Sequence, residues 1–477
     1  MSDSPIAVDL DGTLILTDSL HESALRAVRS DPLSALKMPV WLAQGRANLK
    51  RHLAGLSNFD PATLPYNQPL LDWLRVQRDQ GRRLVLCTAA DLTVAQTVAK
   101  HLGMFDEVMA SDGSTNLSAR RKAAALEAKF GHKGFDYVGN SEDDLHVWRA
   151  ARRAIVVNAP ERLVNAAASI CAVEVVIPPE RKSLAVLPRV LRIHQWVKNL
   201  LLFVAPLAAH KAPDSAHLGS MLLAFLSFCL CASAVYVLND LFDLDSDRAH
   251  ARKRKRPFAS GDVRVVDGVL VAPLLLILAF LLAIPVGTTF VFWLLIYLLV
   301  TTAYTFGLKR LILIDCVVLA VLYTLRIIAG AAAANLPLSF WLLAFGVFLF
   351  LSLAFVKRYA ELSAHSDAGI VQAPGRGYMT SDAPLVKSLG ITAGYAAVVV
   401  LALYLNSDAV IKLYASPNIL WCAVLVMLFW VSWIWMIAHR GLMHDDPVLF
   451  ALRDRVSLSS GVAMAVIVVL ASRHSLW

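Results

Sequence analysis

The sequence predicts two dissimilar parts: an α/β domain at the N-terminus and, after it, an all-α bundle that crosses a membrane many times. Three observations carry this reading. The 477 residues are 57% hydrophobic and only 17% charged, with a mean hydropathy of +0.58, too apolar for a soluble chain of this length. The apolar character is uneven, because residues 1–178 alternate short apolar runs with charged helical faces while almost every long apolar run lies after residue 199. The basic loops also fall on one side of the membrane runs, as an integral membrane protein requires.

The N-terminal elements follow in order. "PIAVDLDGT", residues 5–13, reads as a short buried strand ending in Asp9, Asp11, Gly12 and Thr13. Residues 14–80 are helical and punctuated by Pro, and are expected to form a small cap. "RLVLCTA" is a second strand ending at Thr88, "ARRKAAAL" opens a basic helix with Lys122, and "FDYVGNSEDD" is a third strand ending in Asn140, Asp143 and Asp144. Strand ends on one edge of a parallel sheet are where such folds assemble phosphate sites. "MSDSPIAVDLDGT" has neither a basic n-region nor an apolar h-region, so this domain is expected in the cytoplasm. The six cysteines lack zinc spacing and read as reduced core or lipid-facing residues.

"PPERKSLAVLPRV" has Pro near both ends, which sets expected boundaries of 1–178, a linker over 179–190, and a membrane domain over 191–477. Runs of about 20 residues occur near 218–238, 266–286, 289–306, 311–334, 338–356, 388–406, 417–438 and 456–472. A weaker run at 196–211 brings the expected number to about nine. With the N-terminus inside, the cytoplasmic loops hold 248–264, Lys309 and Arg310, 357–387, and Arg440, Arg453 and Arg455, whereas the opposite loops hold Lys211, Lys412 and Arg473. That asymmetry places the protein in a cytoplasmic (inner) membrane. The net charge of +9 then belongs to loops beside anionic lipids, and no nucleic-acid module is present.

The chemistry concentrates at the cytoplasmic end of the second run. "NDLFDLDSDRAHARKRKRP" packs four aspartates between 240 and 247. Asn239, Asp240, Asp243 and Asp247 recur at three- and four-residue steps, which on one helix would gather three carboxylates on a single face. Such a gathering calls for a cation, and hard oxygen donors favour magnesium bridged to a phosphate. Cations recur at the same membrane face: Arg192, Lys198 and Asn199 in "RIHQWVKN", Tyr304, Lys309 and Arg310 in "YTFGLKR", and Lys357, Arg358, Tyr359 and Glu361 in "KRYAEL". Asp315 and Arg326 lie inside an apolar run. Arg256 and Arg310 read equally well as snorkelling anchors. Metal-binding carboxylates with Lys and Arg on several helices describe a pocket for a phosphorylated, diphosphate-bearing substrate.

These residues bear a family resemblance. From about residue 189 onward the chain resembles the UbiA superfamily of intramembrane transferases, whose first motif is NDxxDxxxD. The resemblance implies a helical bundle in which Asp240, Asp243 and Asp247 hold magnesium against a diphosphate, supported by Asn239. The second DxxxD motif of the aromatic prenyltransferases is replaced here by "KRYAELSAHSD". That replacement, with "QWVKNLLLFVAPLAA", "YTFGLK" and "LRIIAGAAA", resembles the polyprenyl-phosphate phosphoribosyltransferases, which transfer a phosphoribosyl group from phosphoribosyl diphosphate to a polyprenyl phosphate lipid. The resemblance makes Lys198, Lys309, Lys357 and Arg358 phosphate binders, Arg192 a weaker one, and Tyr304 and Glu361 pocket or sugar contacts. A prenyl diphosphate donor with an aromatic acceptor is the alternative. The N-terminal motifs resemble the haloacid dehalogenase (HAD) superfamily. That likeness implies Asp9 as nucleophile, Asp11 as general acid/base, Thr88 and Lys122 as phosphate binders, and magnesium on Asp9, Asp11 and Asp144. Lys133 is a second candidate for the basic role, and Asn140 stands where the family often has Asp.

Overall fold

The computed structural model describes residues 4–57, 59–179, 186–209, 215–250, 252–373, 376–407, 410, 414–443 and 446–473. Lys211, Lys412 and the linker residues 180–185 lie outside the described residues, as does the Arg473 side chain. The chain divides into two compact units, residues 1–191 with 236–272, and residues 192–235 with 273–477.

The first unit is built on a six-stranded sheet of β1 (Ile6–Val8), β2 (Leu84–Asp91), β3 (Glu107–Ser111), β4 (Asp136–Gly139), β5 (Arg153–Val157) and β6 (Ala172–Ile177). All neighbours are parallel, in the order β3-β2-β1-β4-β5-β6. Alternate residues feed two cores: Ile6, Val8, Leu84, Leu86 and Val138 on one face, Ala7, Cys87, Tyr137 and Val156 on the other. Each fully buried large apolar side chain contributes roughly 1.5–3 kcal/mol.

Helices α1 (Ser19–Ser30), α2 (Ser34–Ala43), α3 (Arg46–Leu56) and α4 (Gln68–Asp79) fill the β1–β2 connection. Asp18 caps α1 by accepting from the Leu20 and His21 amides at 2.9 and 3.2 Å, and Asn67 caps α4. The Leu70, Leu71 and Leu74 face of α4 joins the sheet core. The remaining crossovers are α5 (Leu92–Leu102), α6 (Ala119–Phe130), α7 (Leu145–Ala150) and α8 (Glu161–Ala168), and α9 (Val186–Val190) follows the sheet.

Residues 236–272 belong to this unit through α1. Glu22 is completely buried and accepts from both terminal nitrogens of Arg248 at 2.6 and 2.9 Å. One turn on, Arg26 donates to Glu22 at 3.0 Å and to Asp245 at 2.7 Å. Arg29 then donates to the Phe242 carbonyl at 3.1 Å. Leu25 packs beside a cluster of Val190, Val237, Leu241, Leu244 and Phe258.

The remaining helices are α10 (Val204–Ala208), α11 (Ser215–Phe242), α12 (Leu244–Ala249), α13 (Val265–Ala283), α14 (Thr288–Phe306), α15 (Ile314–Ala333), α16 (Phe340–Asp367), α17 (Ala383–Leu405), α18 (Trp421–His439), α19 (Pro447–Ala451) and α20 (Arg455–Arg473). Among the described residues eight helices are long and apolar enough to cross a membrane, not nine. The weak run 196–211 instead forms a 3-10 helix, Ile193–Phe203, followed by the five-residue α10. Its Lys198 and Asn199 are buried among polar partners in the protein, which a lipid-facing span would not allow. A Cβ at Gly330 on α15 would overlap the Leu202 carbonyl, so glycine permits this 3-10 segment to lie directly on the helix. In the same unit Gly390 of α17 lies against the Trp435 ring, and Ser352 donates to the Gly390 carbonyl at 2.7 Å.

Candidate functional site

In the first unit the strand order reverses beside β1, and the carboxyl ends of β1, β2 and β4 bring the expected residues together. Asp9 follows β1, Thr88 lies in β2, and Asn140 follows β4. The Lys122 ammonium, on α6, donates to Asp9 at 2.8 Å and to the Tyr137 hydroxyl at 2.8 Å, and lies 3.8 Å from Asp144. Burial would lower the Lys122 pKa, but Asp9 and Asp144 outweigh it and raise it. Burial pushes the Asp9 carboxyl up to about 6 against the opposing pull of Lys122. Asp11 accepts from the Ser19 amide at 2.8 Å, and burial, then the charge of Asp18, pushes it up to about 7. A carboxyl in that range suits proton transfer near neutrality. Thr88 is fully buried and accepts from the Ala90 amide at 3.0 Å.

One oxygen of Asp144, expected on a metal, accepts from Tyr137 at 2.8 Å and the other from the Asn140 amide, the Ser141 amide and the Ser141 hydroxyl, each at 2.9 Å. These bonds clasp the loop after β4, and the oxygen bonded to Tyr137 keeps a second lone pair. Lys133 donates to the Ala151 carbonyl at 2.9 Å, leaving the basic role to Lys122. The Asn140 side chain lies over Gly12, where a Cβ would collide with it, and Gly12 has φ +72°. Both the backbone and the packing therefore demand glycine there.

The sequence reading missed Lys50. This residue on α3 donates to the Ala89 carbonyl at 2.6 Å and to Asn116 at 3.0 Å, just beyond Thr88. Burial lowers its pKa, opposed by the charges of Asp11 and Asp18. The signal was available: residues 32–59 contain Lys37, Arg46, Lys50 and Arg51 and no Asp or Glu.

Still in the first unit, the aspartate motif does not share one helix. Helix α11 ends at Phe242 and α12 starts at Leu244, with Asp243 between them at φ −91°, ψ 10°. The i→i−4 amide bonds run on through this interruption, from Asp243 to the Asn239 carbonyl and from Asp247 to the Asp243 carbonyl at 2.8 Å each, and Asp240 and Asp247, both buried, meet around Arg256 at 3.1 and 2.6 Å. Arg256 is thus an internal counter-ion rather than a lipid anchor. Asp243 is half-buried beside them, its amide donating to the Asn239 carbonyl at 2.8 Å. Burial raises the Asp247 pKa although Arg256 opposes it. The donors fit a hard divalent cation, being buried carboxylates already gathered about a positive charge. Among the described residues, however, no three Asp, Glu, His or Cys side chains converge as a complete metal site.

The second unit holds its own polar cluster. Lys198 and Lys357 meet at Asp446, at 2.8 and 3.5 Å, and the Tyr323 hydroxyl donates to the same carboxylate at 3.2 Å. Burial would raise the Asp446 pKa, but the two ammonium groups hold it below the usual carboxylate range. Asp446 also caps α19 with Pro447 at the first helical position, a start signal readable in the sequence. Arg358, expected to bind phosphate, is fully buried and committed to Asp315 and Glu361. Tyr378 donates to Asp315 at 2.6 Å, and Arg376 lies 3.7 Å from Asp315 and 3.5 Å from Glu361. Arg358 and Glu361 share this network, and the Glu361 side chain stays partly exposed. Arg376 also donates to the Tyr304 hydroxyl at 3.4 Å and the Lys309 carbonyl at 3.3 Å. Arg192 opens the 3-10 helix with φ +49°. Arg326 donates to Asn199 at 2.9 Å and to Tyr297 at 3.0 Å.

Comparison with known proteins gives two family matches. Residues 200–449 match the UbiA prenyltransferase family and residues 6–149 match the haloacid dehalogenase-like hydrolases. An uncharacterized protein, y4nM, of Sinorhizobium fredii is 39% identical over 97% of this chain and 90% of its own length. The decaprenyl-phosphate phosphoribosyltransferase of Mycolicibacterium smegmatis is 31% identical over 58% of this chain and 89% of its own. Among solved structures, a UbiA homolog from Archaeoglobus fulgidus bound to GPP and Mg2+ aligns with a TM-score of 0.46 and 15% identity, covering 60% of this chain and 98% of that one.

Proposed function

Because this chain belongs to the UbiA prenyltransferase family and also carries a haloacid dehalogenase-like hydrolase region, we propose that it joins two consecutive steps on one lipid. The first, assigned to residues 191–477, moves the 5-phosphoribosyl group of phosphoribosyl diphosphate onto a polyprenyl phosphate. The second, assigned to residues 1–178, removes the 5-phosphate from the lipid-linked product. Both steps are assigned to the cytoplasmic face of an inner membrane, in keeping with the basic loops.

In the transfer, a lipid phosphate oxygen attacks the anomeric carbon, the bond from that carbon to diphosphate breaks, and diphosphate leaves. Asp240, Asp243 and Asp247 are the residues that would hold magnesium, with Asn239 behind them. Magnesium, when bound, supplies neutralising charge for the departing diphosphate. Lys198, Lys309, Lys357 and Arg192 are assigned to substrate phosphates, with Tyr304 beside Lys309. Asp446 keeps Lys198 and Lys357 oriented until an anion arrives.

In the hydrolysis, Asp9 attacks the 5-phosphate, Asp11 protonates the departing ribose oxygen, and water then releases inorganic phosphate from the aspartyl-phosphate. Lys122 and Thr88 hold the phosphoryl oxygens, while Asp144 orients Lys122 through Tyr137.

The observation that carries the transferase reading is the buried Asp240 and Asp247 pair gathered around one cation. The phosphoribosyl donor is favoured by Arg358 and Glu361 standing in place of a second carboxylate motif, and by the similarity to the Mycolicibacterium phosphoribosyltransferase. The alternative, a prenyl diphosphate donor with an aromatic acceptor, rests on the aspartate motif alone. The test is purified full chain in lipid with magnesium, a polyprenyl phosphate and radiolabelled phosphoribosyl diphosphate, scored for label in the organic phase. Label carried by wild type and not by Asp240→Asn is expected; its absence, with label transferred from a prenyl diphosphate, selects the alternative.

A further inference from the structure

Helix α2 does not look like part of a soluble domain. Its sequence, SALKMPVWLA, buries only Ser34. Leu36 is 75% exposed, Leu33 61%, Val40 57% and Leu42 50%. Of the seven large hydrophobic side chains exposed between residues 4 and 179, five lie between Leu33 and Leu56. The patch is thus local to the cap and not a general property of the domain.

The same stretch has a charge bias. Residues 32–59 carry Lys37, Arg46, Lys50 and Arg51 and no acidic residue, with Lys37 paired to Asp31 just before the stretch at 3.1 Å and Lys50 and Arg51 donating to the carbonyls of Ala89 and Asp112. Exposed apolar side chains interleaved with cations are the pattern of helices that lie in the headgroup layer of an anionic bilayer.

The fold also fixes where α2 begins. Arg29, near the end of α1, donates to the carbonyl of Phe242 at 3.1 Å. Phe242 is the last residue of Leu218–Phe242, a helix long and apolar enough to cross a membrane, so a bilayer spanned by that helix would end close to this contact. At most about 18 Å of chain separates Arg29 from Ser34, and the buried Glu22 and Arg248 pair holds α1 to this spot.

We propose that α2 is an interfacial helix, with Leu33, Leu36 and Val40, one face at i, i+3 and i+7, inserted among anionic phospholipids and Arg46 on their headgroups. The occupant of this apolar face is the bilayer in which the chain is already anchored. A two-residue turn, Gln44 and Gly45, joins α2 to α3, which carries Lys50 within the field of Asp11 of the hydrolase site. The cap therefore rests on the layer from which a lipid-linked phosphate ester would be drawn. The membrane contact itself does not depend on the identity of that ester.

The test uses full chain with Cys422→Ser, which removes the exposed cysteine and leaves the five buried ones. Leu36→Cys and Val40→Cys are labelled with an environment-sensitive fluorophore, with Asp72→Cys on exposed α4 surface as control, in nanodiscs containing phosphatidylglycerol. The expected result is blue-shifted emission at positions 36 and 40, at least halved by brominated lipid, with position 72 unaffected. Replacing phosphatidylglycerol by phosphatidylcholine should weaken the effect. Water-like emission insensitive to brominated lipid would overturn the proposal. So would a blue shift that follows protein concentration and ignores brominated lipid, which would assign the face to a second copy of the chain.

Discussion

Replacing Lys122 with Met tests whether one cation organises the hydrolase site. Lys122 is buried with its ammonium 2.8 Å from Asp9, 2.8 Å from the Tyr137 hydroxyl and 3.8 Å from Asp144. At 2.8 Å and an effective dielectric of about 20, the gross attraction to Asp9 alone is about 6 kcal/mol. Desolvation offsets much of that, and breaking a buried pair by removing one partner costs about 3–5 kcal/mol, because the remaining charge is stranded. For a domain of about 200 residues each kcal/mol moves the melting temperature by roughly 2–4 °C. The domain should therefore melt roughly 6–20 °C lower in full chain followed by scanning calorimetry. Hydrolysis of a soluble phosphate monoester should fall at least about 100-fold, the scale of losing one preorganised electrostatic group. Lys122→Arg keeps the charge and should recover most of the stability but little of the turnover, since its fork does not fit the compact ammonium site. A Lys122→Met protein melting within about 2 °C of wild type, or hydrolysing the ester within about tenfold of it, would refute this account.

Other outcomes follow from the same structure. Gly330→Ala should destabilise the membrane unit by about 1–3 kcal/mol or more, read by thermal unfolding in detergent, because its Cβ would strike the rigid Leu202 carbonyl. Lys50→Ala should raise KM for a phosphate monoester roughly tenfold, the loss of about one charged hydrogen bond, with a smaller change in kcat. Burial would raise the Glu22 pKa, but Arg248 and Arg26 prevail and hold it below its ordinary 4.5, so folded Glu22 binds fewer protons than unfolded. Its contribution is complete above about pH 4.5 and is lost as pH falls through the lower folded value. The melting difference between wild type and Glu22→Gln should shrink on acidification below that point, and a difference constant with pH would contradict the buried pairing.

Much of the site could be read from the sequence because strand ends and spaced carboxylates are local features. The motif around Asp9, the Thr88 strand, Lys122 and the loop at Asn140 are each contiguous, and the sheet brings them together as their spacing suggests. The aspartate spacing was legible for a local reason too: despite the interruption at Asp243, Asp240 and Asp247 reach the same Arg256 nitrogen, as positions seven apart on one helical face would. The 3-10 segment at 193–203 looked like a weak span because its apolar content does not reveal that Lys198 and Asn199 point at partners distant in sequence. The pairing of Arg358 with Asp315, 43 residues earlier on another helix, is non-local in the same way. Pairings of this kind, like those of Glu22 with Arg248 and Asp446 with Lys198, are set by tertiary packing and leave no periodic trace.

The most direct test of the two-step account is mass spectrometry of the lipid product made by full chain from a polyprenyl phosphate and phosphoribosyl diphosphate, comparing wild type with Asp9→Asn. The account predicts a polyprenyl-phosphoryl-ribose from wild type and a product heavier by one phosphoryl group from Asp9→Asn, at equal rates of lipid consumption. A single identical product from both proteins would contradict it, separating the hydrolase region from the transferase's lipid.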